Sequence, residues 1–144
     1  MNLDELYQTV ILDHAQRPRN FGDLPQATAV AEGVNPSCGD EVTVSVKLSA
    51  DGQVIDDIKF KGAGCAISQA SASLMTLKLK GKSRDEALKF EHVFHEMMTA
   101  ATLPAYPQGF GDLQILEGVR KFPQRVKCAT LVWNALKQAL TGNV

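Results

Sequence analysis

The sequence predicts an α+β domain, a small antiparallel sheet of about three strands with helices packed on one face only. Two observations carry that expectation. Val42, Val44, Val46 and Leu48 alternate with polar residues, Ala50-Asp51-Gly52 turns the chain, and residues 54–60 return as a second strand, so a hairpin has one apolar face and one wet face. On either side of it, apolar residues recur at roughly three- to four-residue intervals behind recognisable caps, which is the pattern of helices burying one stripe. With 144 residues, 44% apolar and 22% charged, the chain is expected to form one domain spanning 1–144.

The first helix is expected from Leu3, Leu6, Tyr7, Val10, Ile11 and His14, with Asn2 as N-cap and Glu5 completing a capping box. It ends near Arg17-Pro18, because the residue before a proline is pushed out of helical backbone. His14 falls on the apolar stripe and is read as a packing residue. Residues 28–34 form a short edge strand leading into Asn35-Pro36-Ser37-Cys38-Gly39-Asp40, a tight turn that holds Cys38 and Asp40. After the hairpin, Gly62-Ala63-Gly64-Cys65 permits close backbone approach and opens a helix whose stripe is Ile67, Ala70, Leu74 and Leu77, closed by Gly81.

Ser68, Ser71 and Ser73 lack a His-Asp partner pattern and are read as small residues that let helices pack closely, not as nucleophiles. Ser83 with Glu86 opens a helix over 83–102. Its His92 and His95 are read as surface or packing residues, since no His-Glu-x-x-His occurs. Residues 103–111, rich in Pro and Gly, form a loop. Asp112 caps a short helix through Leu113, Leu116, Val119 and Arg120, and Phe122-Pro123 breaks it. Val126, Ala129, Trp133, Leu136 and Leu140 anchor the last helix, which Gly142 ends.

The chemistry lies in three cysteines. Cys38 sits in a turn, Cys65 at a helix N-terminus, where the helix dipole favours an anion, and Cys128 in the early turns of another helix. Brought together with Asp40, they make three sulfur donors and one carboxylate, a set that suits a tetrahedral zinc ion or iron with sulfide. Scattered as they are, without a C-x-x-C pair, the same cysteines also read as small buried hydrophobes. Arg17, Arg19, Lys59, Lys61, Arg120, Lys121, Arg125 and Lys127 supply positive charge, and the last four flank Cys128 as an expected basic rim.

Several classes are excluded. A net charge of −1 argues against wholesale binding of nucleic acid or anionic lipid. No run is long enough to cross a membrane, and the acidic start is expected not to be a secretory leader. Three cysteines cannot all pair, so a reducing, cytoplasmic setting is expected. Gly62-Ala63-Gly64 lacks the third glycine of a dinucleotide loop and follows a hairpin strand. A zinc hydrolase needs an open coordination position, which four protein ligands would close.

Residues 35–40, 62–75 and 125–133 (Arg-Val-Lys-Cys-Ala-Thr-Leu-Val-Trp) resemble the U-type iron–sulfur assembly proteins, over nearly the whole chain. The SufU branch is resembled more than the IscU branch, because Lys127 stands where IscU proteins have a His and the segment between Cys65 and Cys128 is longer. The resemblance implies a SufE/NifU-like fold and zinc held by Cys38, Asp40, Cys65 and Cys128. It further implies that Cys38 accepts persulfide sulfur from a SufS-type, pyridoxal-phosphate cysteine desulfurase, one of whose residues displaces Cys38 from the zinc. The chain is then a sulfurtransferase-type co-substrate and not a stand-alone enzyme, and downstream iron–sulfur scaffold or acceptor proteins receive the sulfur. The alternative is an IscU-like scaffold for a transient [2Fe-2S] cluster with the same ligands, against which Lys127 counts because an ammonium cannot ligate.

Overall fold

The computed structural model describes residues 3–142, and the N-cap expected at Asn2 lies outside them. Strands β1 (Ala29–Asn35), β2 (Asp40–Leu48) and β3 (Ile55–Ala63) form an antiparallel meander in the order β1-β2-β3. Four α-helices accompany the sheet: α1 (Leu3–Gln16), α2 (Ala66–Leu79), α3 (Arg84–Thr99) and α4 (Pro123–Thr141). A 3₁₀ helix, Gly111–Lys121, precedes α4. The α+β architecture is therefore the one expected. Among the described residues no helix is long and apolar enough to cross a membrane.

The strands reach further than their apolar alternation. Asn35 pairs with Asp40 and Glu41 with Ala63, so β2 begins at Asp40 and the turn shrinks to residues 36–39. Asp40 is thus the first member of an inward row with Val42, Val44 and Val46, all buried. A carboxylate at the head of an apolar row hid that extension. At the same end of the β2–β3 pair, opposite Val42, Gly62 adopts φ +147° and a Cβ there would lie 2.0 Å from the Glu41 carbonyl oxygen, so only glycine lets the two strands close.

Helix α2 departs from the single-stripe expectation. Leu77 is 47% exposed, while Ser68, Ser71, Ser73 and Thr76 are buried, because α2 lies between α1, α4 and β3 and is covered on nearly all sides. Its serines are more than small spacers. Ser71 donates to the Ala129 carbonyl at 2.7 Å and accepts from Trp133 Nε1 at 3.1 Å. Ser73 Oγ accepts the Arg19 N–H at 2.8 Å and stands 2.7 Å from Nδ1 of the buried His14. These bonds satisfy polar groups that would each cost about 1–3 kcal/mol if left buried and unpaired.

The capping expectations hold at α3, where Ser83 accepts the Glu86 N–H at 3.1 Å, and at α4, which Gly142 ends in left-handed backbone at φ 70°. The segment before α4 differs: Phe110, not Asp112, is the N-cap, and the turns are 3₁₀. Pro123 then fits the first position of α4, where its missing N–H costs nothing. Trp133 stacks on Phe94 with ring centroids 4.5 Å apart, fixing α4 against α3.

Candidate metal centre

Four elements deliver the predicted residues to one place. The 36–39 turn carries Cys38, the first residue of β2 is Asp40, the N-cap of α2 is Cys65, and α4 carries Cys128. The donor atoms of Cys38, Asp40 and Cys128 all lie within 4.8 Å of one another, and this is the one such group among the described residues. Cys65 falls outside that mutual limit, yet its Sγ stands 4.0 Å from Asp40 Oδ2. Around a tetrahedral zinc ion, with Zn–S about 2.3 Å and Zn–O about 2.0–2.2 Å, neighbouring donors stand about 3.5–3.8 Å apart. The chemistry and spacing of Cys38, Asp40 and Cys128 therefore fit a single zinc ion, with Cys65, beside Asp40, as the donor that would have to draw in as the fourth.

Asp40 is aimed by α2. Its Oδ1 accepts the Cys65 backbone N–H at 2.9 Å, so the carboxylate completes a helix N-terminus whose own N-cap side chain makes no capping bond. The Ser68 hydroxyl, 2.9 Å from the Cys65 carbonyl oxygen, lies 3.4 Å from the same Oδ1. Oδ2 is left facing the Cys65 thiol. Gly64 makes this approach possible, for a Cβ there would lie 2.3 Å from Asp40 Oδ1 and 2.5 Å from Ser68 Oγ.

The electrostatics are those of a site that wants a cation. Burial pushes the Cys128 thiol far above its ordinary range, and Asp40, Cys38 and Cys65 push it the same way. Arg125 answers from outside: the Cys128 thiol beside it, then the charge of Cys65, holds its guanidinium more firmly protonated. A bound divalent ion reverses the penalty on ionising crowded thiols, since it is the largest charge in the site.

Of the four ligand candidates only Cys38 lines an open cleft of about 660 Å³, shared with Asn35, Arg125 and Lys127 and with no acidic residue in its wall. Cys128 is fully buried. The expected basic rim is smaller than its sequence. Arg120 turns away to bind the Met97 and Ala100 carbonyls at the end of α3, Lys121 lies 3.8 Å from Asp4, and Arg17 and Arg19 both pair with Asp13. Lys61 pairs with Asp23 at 2.6 Å. His92 bonds Glu96 on the surface, and neither it nor His95 joins a metal group.

Two residues at the site carry no site role on sequence alone, where Ser68 reads as a packing residue and Asn35 as part of the turn. Ser68 is three positions after Cys65, where a helix's first turn can reach back to its cap, and Asn35 faces inward because it is the cross-strand partner of Asp40.

The chain matches the family described as NifU-like N terminal domain over residues 6–140. It is 46% identical to the iron–sulfur cluster assembly scaffold protein IscU of Streptococcus pyogenes serotype M1, covering 96% of this chain and 84% of that one. It is 45% identical to the zinc-dependent sulfurtransferase SufU of Bacillus subtilis (strain 168), covering 96% and 92%. The crystal structure of the N-terminal part of a nitrogen-fixing NifU-like protein from Brucella abortus superposes with a TM-score of 0.84 at 28% identity, over 96% of this chain and 94% of that one. Fold, sequence match and relatives agree: the chain belongs to the NifU-like N-terminal domain family of U-type iron–sulfur assembly proteins.

Proposed function

We propose that this protein is a zinc-binding sulfur acceptor of the SufU type, taking persulfide sulfur from a SufS-type cysteine desulfurase and passing it to iron–sulfur cluster assembly. The supporting observation is the compact donor set from which one member, Cys38, opens on a cleft. Cys38, Asp40, Cys65 and Cys128 would hold the zinc, whose chemistry there is to keep its sulfur ligands as thiolates without redox change. Cys38 is the acceptor because it rides on a turn of residues 36–39, whereas Cys65 and Cys128 are set in helices. Its thiolate attacks the outer sulfur of a donor persulfide R–S–SH. A new S–S bond forms between Cys38 and that sulfur, the S–S bond of the donor persulfide breaks, and R–S⁻ leaves with the electron pair.

The IscU-type reading, a scaffold for a transient [2Fe-2S] cluster, is favoured by the scaffold name of the Streptococcus relative. Two features count against it. Donors mutually within 4.8 Å surround one ion more readily than two irons, and Lys127, in the place of an IscU histidine, is exposed and offers no lone pair when charged. Metal analysis of protein purified without added metal decides between them. One zinc per chain is expected; a brown product with iron and acid-labile sulfide would overturn the acceptor reading in favour of the scaffold.

A further inference from the structure

Asn35 Nδ2 is the one buried side-chain polar atom among the described residues without a hydrogen-bond partner. The residue is 8% exposed, lines the Cys38 cleft, stands across from Asp40 in the β1–β2 register, and accepts the Cys38 N–H on its backbone carbonyl at 3.2 Å. A buried amide donor with no acceptor is destabilising, so its place at the foot of the Cys38 turn calls for an acceptor that arrives later. Lys127 and Arg125, both exposed and both in the same wall, add positive charge that no acidic residue of the cleft cancels.

We propose that this cleft is a subsite for the outer sulfur of a Cys38 persulfide, with the Asn35 amide donating to that anion and Lys127 and Arg125 neutralising it. The inference rests on Cys38 being the acceptor and adds where the acquired sulfur sits. An anionic sulfur is a hydrogen-bond acceptor that the thiol form of the site lacks, so loading satisfies the orphan donor. The cleft's volume leaves room for the segment that brings the sulfur as well as for the sulfur itself. The fixed cations hold the acquired charge in place, and Asn35, a neutral donor, makes the site selective for an acceptor atom at one position.

Sodium disulfide, HS–S⁻, tests this without any partner protein. In the exchange, the Cys38 thiolate takes the outer sulfur to give Cys38–S–S⁻ and HS⁻ departs, so mass spectrometry at fixed ratios of disulfide to sulfide gives an equilibrium constant for loading. Asn35→Leu, which keeps the volume and removes the donor, is expected to lower that constant roughly tenfold, in keeping with the loss of one charge-assisted hydrogen bond. Its unfolding transition in the unloaded form stays level or moves up, because an unpaired donor has been removed; a merely structural Asn35 would lose stability instead. Lys127→Gln, on an exposed side chain, lowers the constant several-fold and keeps the subsite testable even if the Asn35 variant does not fold. A constant unchanged in either folded variant overturns the subsite while leaving Cys38 as acceptor. No added sulfur on Cys38 of the wild type overturns both.

Discussion

Replacing Gly64 with alanine reverses the usual sign of a glycine substitution. Gly64 lies outside the left-handed region, and in open space Gly64→Ala would stabilise the fold by about 0.4–1 kcal/mol through the unfolded chain. Here the added methyl would stand 2.3 Å from Asp40 Oδ1 and 2.5 Å from Ser68 Oγ. Asp40 is 1% exposed and spans to the Cys65 N–H at 2.9 Å, so it cannot swing into water without breaking that bond. Losing a hydrogen bond to a charged group costs about 1.5–3 kcal/mol, and the displaced carboxylate is left buried and poorly paired, so the net effect is about 3 kcal/mol of destabilisation. For a domain of this length that is a fall of about 6–12 °C in Tm. Thermal unfolding of metal-free protein reads it directly, and chelator competition on the zinc-loaded form should show weaker retention. A Gly64→Ala variant as stable as wild type, or more so, would refute the claim that α2 and Asp40 share this close contact.

Three further outcomes follow from the same geometry. Asp40→Ala removes the acceptor at the head of α2 and a proposed ligand, so it lowers stability by about 1.5–3 kcal/mol and weakens zinc retention in chelator competition; unchanged retention would take Asp40 out of the proposed ligand set. Ser71→Ala leaves the Trp133 indole N–H without its partner in the core and costs about 1–3 kcal/mol in denaturant unfolding, with no effect on metal binding. Burial, and then Arg19, depress the pKa of His14 below its ordinary 6.5, against the opposing pull of Asp13 and Asp112. The unfolded chain takes up a proton that the fold resists, so the contribution of neutral His14 is full above about pH 6.5 and is lost as pH falls below it; His14→Gln should flatten stability against pH in that window.

The helices and the hairpin were legible because their signals are local: Ser83 with Glu86, Pro123 after Phe122, and the alternation from Val42 to Leu48. What was not legible depends on neighbours far along the chain. Leu77 has helical spacing with Leu74, yet α2 is enclosed by α1, α4 and β3, so its apolar stripe does not define its buried side. The serines looked like spacers because their partners, Ala129, Trp133, His14 and Arg19, come from other elements. The basic rim shrinks to Arg125 and Lys127 for the same reason: charge spacing around Cys128 cannot reveal that Arg120 is drawn to the end of α3 and Lys121 toward Asp4. Residue type and motif pointed to the four candidate ligands, and the fold brings Cys38, Asp40 and Cys128 together with Cys65 beside Asp40, but Asp40 was expected in a turn, and its position on β2 is what aims the carboxylate at α2. Asn35 shared the motif and passed without notice, since an amide in a Pro-Gly turn ordinarily needs no explanation beyond the turn.

The central claim is that Cys38 is where sulfur arrives, and the most direct measurement is the position of added sulfur after turnover by a cysteine desulfurase. Peptide mass spectrometry of the wild type, quenched early, should find one extra sulfur on the Cys38 peptide before either other cysteine is labelled, because Cys38 alone of the ligand candidates lines the cleft and Cys128 is fully buried. Equal labelling of Cys38, Cys65 and Cys128, or first labelling at Cys65 or Cys128, would contradict it.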